Sequence, residues 1–220
     1  MAVWCEEKAN QMLEIILKGL FIGFLSSAPM GPVGMLCVQR TLNDGRRHGL
    51  VTGLGAAIGD MVIAFFAVVA ALGMGFSTDF IQQHQSPLQV VGSIAVIVFG
   101  AFVFRKNPSR NLKKLDESVA VPFLKLFISS LLLTISNIAT LLLYVALFAR
   151  FSIIDDSGLF VNELMAVLFI GVGAICWWLL VTYFVDKLRS RFNPRGLKVF
   201  NRIVGTILML VGVVGVITAI

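Results

Sequence analysis

Ser26-Ser27-Ala28-Pro29-Met30-Gly31-Pro32-Val33-Gly34 lies inside an apolar run that starts near residue 15. Two prolines and two glycines, Pro29, Gly31, Pro32 and Gly34, fall within six residues, so an unbroken helix is ruled out. Each proline removes an N–H and its ring clashes with the preceding turn. In a bilayer, broken backbone survives only where protein buries it or where it faces a watery cavity. Discontinuous helices of this kind line the midplane sites of many secondary transporters. The same stretch leads through a basic turn, Arg46-Arg47-His48, into a glycine-stepped apolar run that carries one carboxylate, Asp60.

The rest of the chain fits a membrane. Of 220 residues, 58% are hydrophobic and 14% charged, with mean hydropathy +0.92. A soluble domain is about half apolar and about a quarter charged. Apolar segments are expected at about 15–38, 49–73, 88–104, 123–149, 163–185 and 203–220. At roughly 20 residues per span, six spans use almost the whole chain and leave no room for a soluble domain. The fold class predicted is all-α and polytopic. Glu6 and Glu7 stand where a signal peptide would carry a basic region, so the first segment is expected to be retained.

The net charge of +6 is placed by topology, not by nucleic acid. Connections 1–2, 3–4 and 5–6 are basic, while 2–3 and 4–5 are not. All 18 Lys and Arg except Lys8, Lys18 and Arg150 lie in or beside the basic three. The positive-inside rule then puts both termini outside. Cys5, Cys37 and Cys176 are scattered and odd in number, so no disulfide framework is implied. No CxxC motif or Cys/His cluster suggests a metal, and no cofactor is expected.

Connection 105–122 divides the chain into 1–104 and 123–220, three spans each. Three is odd, so a repeat would be inverted, a common transporter plan. The matches are short. Val91-Gly92-Ser93-Ile94 resembles Val204-Gly205-Thr206-Ile207, Gly31-Pro32 falls opposite Ser136-Asn137, and Gly55 pairs with Gly171 or Gly173.

Asp60 is the sharpest single signal. A charge near the bilayer midplane costs on the order of 2.5–3.5 kcal/mol on insertion scales, and no Lys or Arg lies deep in a span to offset it. It reads as a protonatable group that binds a proton or a cationic substrate, set against a structural carboxyl that braces a broken helix. The backbone groups freed between Pro29 and Gly34 could hold a substrate carboxylate or ammonium, or mark only a packing kink. Gly45, Gly49 and Gly53, and Gly55 with Gly59, recur every four residues and read as helix packing. Gly59 also leaves space beside Asp60. Asn137, with Ser136 and Thr134, could line a cavity opposite the proline break or bond a neighbouring helix. Gln39 and Arg40 read as an inner gate or an interface anchor. Trp177 and Trp178 leave cavity wall and plain packing both open.

These residues together resemble the lysine exporter (LysE-type) family of bacterial amino-acid and metabolite exporters. The resemblance rests on Pro29-Met30-Gly31-Pro32, on the Gly-Arg-x-x-Gly turn from Gly45 to Gly49, and on Gly59-Asp60. It implies six spans as two inverted three-helix repeats in a bacterial cytoplasmic membrane. It also implies export of amino acids or related small metabolites by proton antiport. Substrate, protons and lipid are the partners expected; nucleic acid is not, and a homodimer is left open. One departure is Asn137-Ile138, where such proteins often have Asn-Pro. The expected pathway residues are Pro29, Gly31, Pro32, Gly34, Gly59, Asp60 and Asn137.

Three alternatives compete. A cation or metal exporter of this architecture would have a single buried carboxylate, where a hard divalent ion takes several oxygens. A transmembrane thiol-redox carrier would need Cys37 and Cys176 to meet in disulfide geometry. A membrane enzyme or assembly factor finds no nucleophile–base pair or metal signature to support it, and His48 and His84 fall in connections on opposite sides.

Overall fold

The computed structural model describes residues 2–29, 31–73, 85–106, 121–151, 160–188 and 194–219. Among them every regular element is a helix: α1 (Ala2–Ser27), α2 (Pro32–Asp44), α3 (Arg46–Gly73) and α4 (Gln85–Arg105). Then follow α5 (Phe123–Ile135), α6 (Ile138–Phe151), α7 (Phe160–Lys187) and α8 (Pro194–Ala219). Five helices are long and apolar enough to cross a membrane, and the α5–α6 pair makes a sixth span bent by 62°. Connection residues 74–84 (with Asp79 and His84), 107–120, 152–159 and 189–193 lie outside the described residues.

The first and last helices run longer than the apolar runs foretell. Residues 2–14, which precede the apolar run, are continuous with α1. The last helix starts at Pro194, not near 203. Proline suits a first helical turn, where its missing N–H would have no intrahelical acceptor.

Close approaches at glycine show how the helices run. Gly19 lies against Ala166 and Phe169, Gly23 against Ile170, and Gly173 against Leu20 and Phe24, so α1 and α7 are parallel. Gly55 lies against Phe127 and Ser130, and Gly59 against Leu131 and Thr134, so α3 and α5 are parallel as well. Gly49 with Thr182, Gly53 with Trp178 and Gly171 with Met61 make α3 and α7 antiparallel. Gly100 meets Gly205, and Gly212 meets Ile97, so α4 and α8 are antiparallel too. Every one of these senses is what six spans of alternating direction require.

Exchanging α1–α4 with α5–α8 turns the α1–α7 contact into the α5–α3 contact, and α2–α7 into α6–α3. It also turns α1–α6 into α5–α2, while α3–α7 and α4–α8 map onto themselves; the α2–α3 and α4–α6 contacts have no comparable counterpart among the described residues. This pattern is compatible with an inverted repeat. It favours Gly173 over Gly171 as the counterpart of Gly55. Gly173 faces α1 as Gly55 faces α5, whereas Gly171 faces α3.

The surface is what lipid asks for. Phe66, Val91, Ile138, Leu142 and Ile217 point outward, while Asp60, Ser26, Ser27, Thr52, Ser130 and Thr134 are buried. With hydrocarbon outside, apolar burial contributes little, and close helix packing with internal hydrogen bonds holds the bundle.

Candidate functional site

Two breaks meet at the centre of the bundle. The first separates α1 from α2. Ala28 closes back on Leu25 with an N–H···O of 3.3 Å, and the Gly31 N–H donates to the Pro29 carbonyl at 2.7 Å. Gly31 then caps α2 in extended backbone (φ −80°, ψ −165°), and its carbonyl accepts from the Met35 N–H at 3.0 Å. Pro32 fills the first helical position.

The second break needs no proline. The Asn137 N–H donates to the Thr134 carbonyl at 2.9 Å, a tight three-residue closure. The Asn137 carbonyl then accepts from the Thr140 N–H at 2.9 Å and starts α6. Asn137 thus serves both half-helices through its backbone, which is how the 62° bend is held where Ile138 replaces proline.

Between the breaks lies a cavity of about 40 Å³. Its wall comprises Ser26, Ser27 and Pro29 from the end of α1 and the break, Gly31, Val33 and Gly34 from the start of α2, and Ala56 and Asp60 from α3. Thr134, Asn137 and Thr140 line it from the second break, and Trp178 from α7. Asp60 is 4% exposed. The Ser27 hydroxyl donates to its Oδ2 at 2.9 Å. No salt bridge to Asp60 occurs among the described residues. Helices α2 and α6 both begin at this cavity, so the positive ends of two helix dipoles converge there.

Of the residues expected in a pathway, Pro29, Gly31, Gly34, Asp60 and Asn137 come together on this wall. Pro32 and Gly59 do not. Pro32 is exposed at the start of α2. Gly59 faces α5, where an added Cβ would lie 2.7 Å from the Thr134 Cβ. Its bareness brings Thr134 to the wall beside Asp60. The two tryptophans divide: Trp178 is in the wall, while Trp177 packs edge-on to Phe24 and stacks on Phe200.

The sequence alone did not mark Ser26 and Ser27 as partners, although only Ala28 separates them from Pro29. It also gave no role to Tyr144, which is fully buried and hydrogen-bonded to Ser26 at 2.8 Å. The signal was faint: one tyrosine hydroxyl amid leucines, and a buried hydroxyl seeks a partner. Cys37 is buried, with its thiol donating to the Gly49 carbonyl at 3.3 Å, whereas Cys176 is exposed. Among the described residues no group of three or more His, Cys, Asp or Glu could hold a metal.

Comparison with known proteins points the same way. A family model, LysE type translocator, matches residues 7–218. An Escherichia coli (strain K12) protein named "Uncharacterized membrane protein YahN" is 28% identical over 112 residues, 51% of this chain and 49% of that one. That alignment therefore spans only about half of the relative's length. A Bacillus subtilis (strain 168) protein named "Putative amino acid efflux protein YcgF" is 22% identical over 91% of this chain and 94% of its own. No solved structure matches significantly.

Proposed function

Because this chain belongs to the LysE type translocator family, we propose that it is a secondary transporter that exports amino acids or related small metabolites by proton antiport. The observation that carries this reading is Asp60: a buried carboxylate facing a cavity where two helix breaks meet, with a serine hydroxyl as its partner. It can take a proton or hold a substrate ammonium, one at a time. The N-terminal ends of α2 and α6 suit a substrate carboxylate on the same wall. The two charges of an amino acid thus meet two complementary ends of one cavity. The name of the Bacillus relative lends the substrate class further support.

The cavity is too small for such a substrate as it stands. About 40 Å³ compares with the roughly 10–15 Å³ that one water needs and about 300 Å³ or more for a typical ligand pocket. We therefore read this conformation as closed, with export requiring the wall to part. The halves 1–104 and 123–220, joined by 105–122, would be the moving units, as inverted repeats in a bacterial cytoplasmic membrane with both termini outside. Pro32 and Gly59 belong to this pathway by shaping its wall, the first by starting α2 and the second by seating Thr134.

The test is efflux from preloaded vesicles under an imposed proton gradient, across basic, neutral and acidic amino acids. Wild type should export one class, and Asp60→Asn should lose gradient-driven export of it. Undiminished coupled efflux by the variant would refute the role given to Asp60.

A further inference from the structure

Hydrogen bonds that cross between the halves of the chain flank the Asp60 cavity. On one side α2 runs away from the cavity, and Arg40 lies eight residues past Pro32, roughly 12 Å along the helix. Its Nη1 donates to the Leu126 carbonyl at 3.2 Å and to Thr52 Oγ1 at 2.9 Å. Its Nη2 donates to Ser129 Oγ at 3.0 Å. Leu126 and Ser129 belong to α5, so this guanidinium ties α2 to the second half. The side chain is half-buried, and these three acceptors are all neutral.

On the other side α6 runs away from the cavity in the opposite sense, and Tyr144 lies six residues past Ile138, roughly 9 Å along it. The Ser26 hydroxyl donates to the Gly23 carbonyl at 3.2 Å, which leaves the Tyr144 O–H to donate to Ser26 Oγ at 2.8 Å. This bond ties α1 to the second half. The helix pairs involved, α2 with α5 and α6 with α1, change places when the two halves are exchanged. Neither bond involves the Asp60 carboxylate, although Ser26 is itself on the cavity wall.

We infer that Arg40 and Tyr144 are the two gate residues of the path, one on each side of the Asp60 cavity. Both sets of bonds are made in this structure. Opening the Arg40 gate frees a guanidinium at the mouth on the side of the basic connections. Opening the Tyr144 gate releases the end of α1 that carries Ser27, the partner of Asp60. The inference rests on the transporter reading of the same cavity and adds the residues that close it.

The experiment measures access and needs no substrate. Asn137→Cys, with Cys5, Cys37 and Cys176 replaced by serine, places one thiol on the wall. A membrane-impermeant maleimide is then applied to right-side-out and inverted vesicles. Arg40→Gln should raise the labelling rate about tenfold in inverted vesicles only, since it removes three charge-assisted bonds. Tyr144→Phe should raise it severalfold in right-side-out vesicles only. Ser129→Ala and Ser26→Ala, which spare the folded core if the first pair do not, should shift access on the same respective sides by smaller factors. Unchanged labelling, a rise on the same side for both gates, or an equal rise on both sides would overturn the assignment. Absence of amino-acid efflux with side-specific labelling intact would instead strike only the substrate and coupling proposed above.

Discussion

Gly59→Ala tests the packing that seats the site. The added Cβ would sit 2.7 Å from the Thr134 Cβ and 3.3 Å from the Leu131 carbonyl oxygen. Carbon atoms pack at about 3.5–4.0 Å, so α5 must withdraw from α3 by roughly 1 Å. Neither obstacle is the end of a flexible side chain; one is a β-branched Cβ and the other is backbone. Overpacking of this kind costs about 1–3 kcal/mol, which for a chain of this size lowers Tm on the order of 5 °C. The displaced residue is Thr134, which lines the same cavity as Asp60, so function should suffer beyond stability. Efflux should fall by at least about tenfold, since misplacement of about 1 Å can cost even more. The control is the lipid face of the same helix. Leu54→Ala and Ile58→Ala remove side chains that are 43% and 39% exposed and should leave Tm within about 2 °C. Thermal unfolding in detergent, paired with vesicle efflux, reads both. Wild-type Tm and efflux in Gly59→Ala, or equal loss in Ile58→Ala, would refute the reasoning.

Four further outcomes are expected. Gly45 joins α2 to α3 at φ 93° and ψ 169°, a region that residues with a Cβ avoid, so Gly45→Ala should cost about 1–3 kcal/mol. Gly196→Ala, where a Cβ meets nothing within 4 Å, should be silent in the same unfolding assay. Ser27→Ala removes the hydrogen bond to Asp60 and should cut coupled efflux about tenfold with little change in Tm, because one buried bond contributes about 1 kcal/mol. Ser27→Thr, which keeps the hydroxyl, should recover most of that efflux.

Much of this was readable from one dimension. The spans follow from runs of apolar residues, because hydrocarbon leaves a helix no other way to satisfy its backbone. The first break follows from Pro29 and Pro32, which lack donors wherever they are placed. Asp60 was conspicuous because a carboxylate in a long apolar run has few reasons to be there. The second break was harder: Asn137-Ile138 carries no proline, and the bend arises from backbone bonds that Asn137 makes to both half-helices. Gly59 was assigned to the path for its place beside Asp60. Its bare face turns instead to α5, since successive helical residues point about 100° apart.

Composition and order alone determined a helical membrane chain, its approximate spans, one proline break and one deep carboxylate. These depend on local chemistry and on the bilayer's demand for satisfied backbone. Only the tertiary structure decided that both breaks share one cavity, that Ser27 holds Asp60, and that Arg40 and Tyr144 tie the halves together. Ser26 and Tyr144 stand 118 residues apart, and Arg40 and Ser129 stand 89 apart. No local pattern records such pairs, because their meeting depends on how the two halves pack against each other.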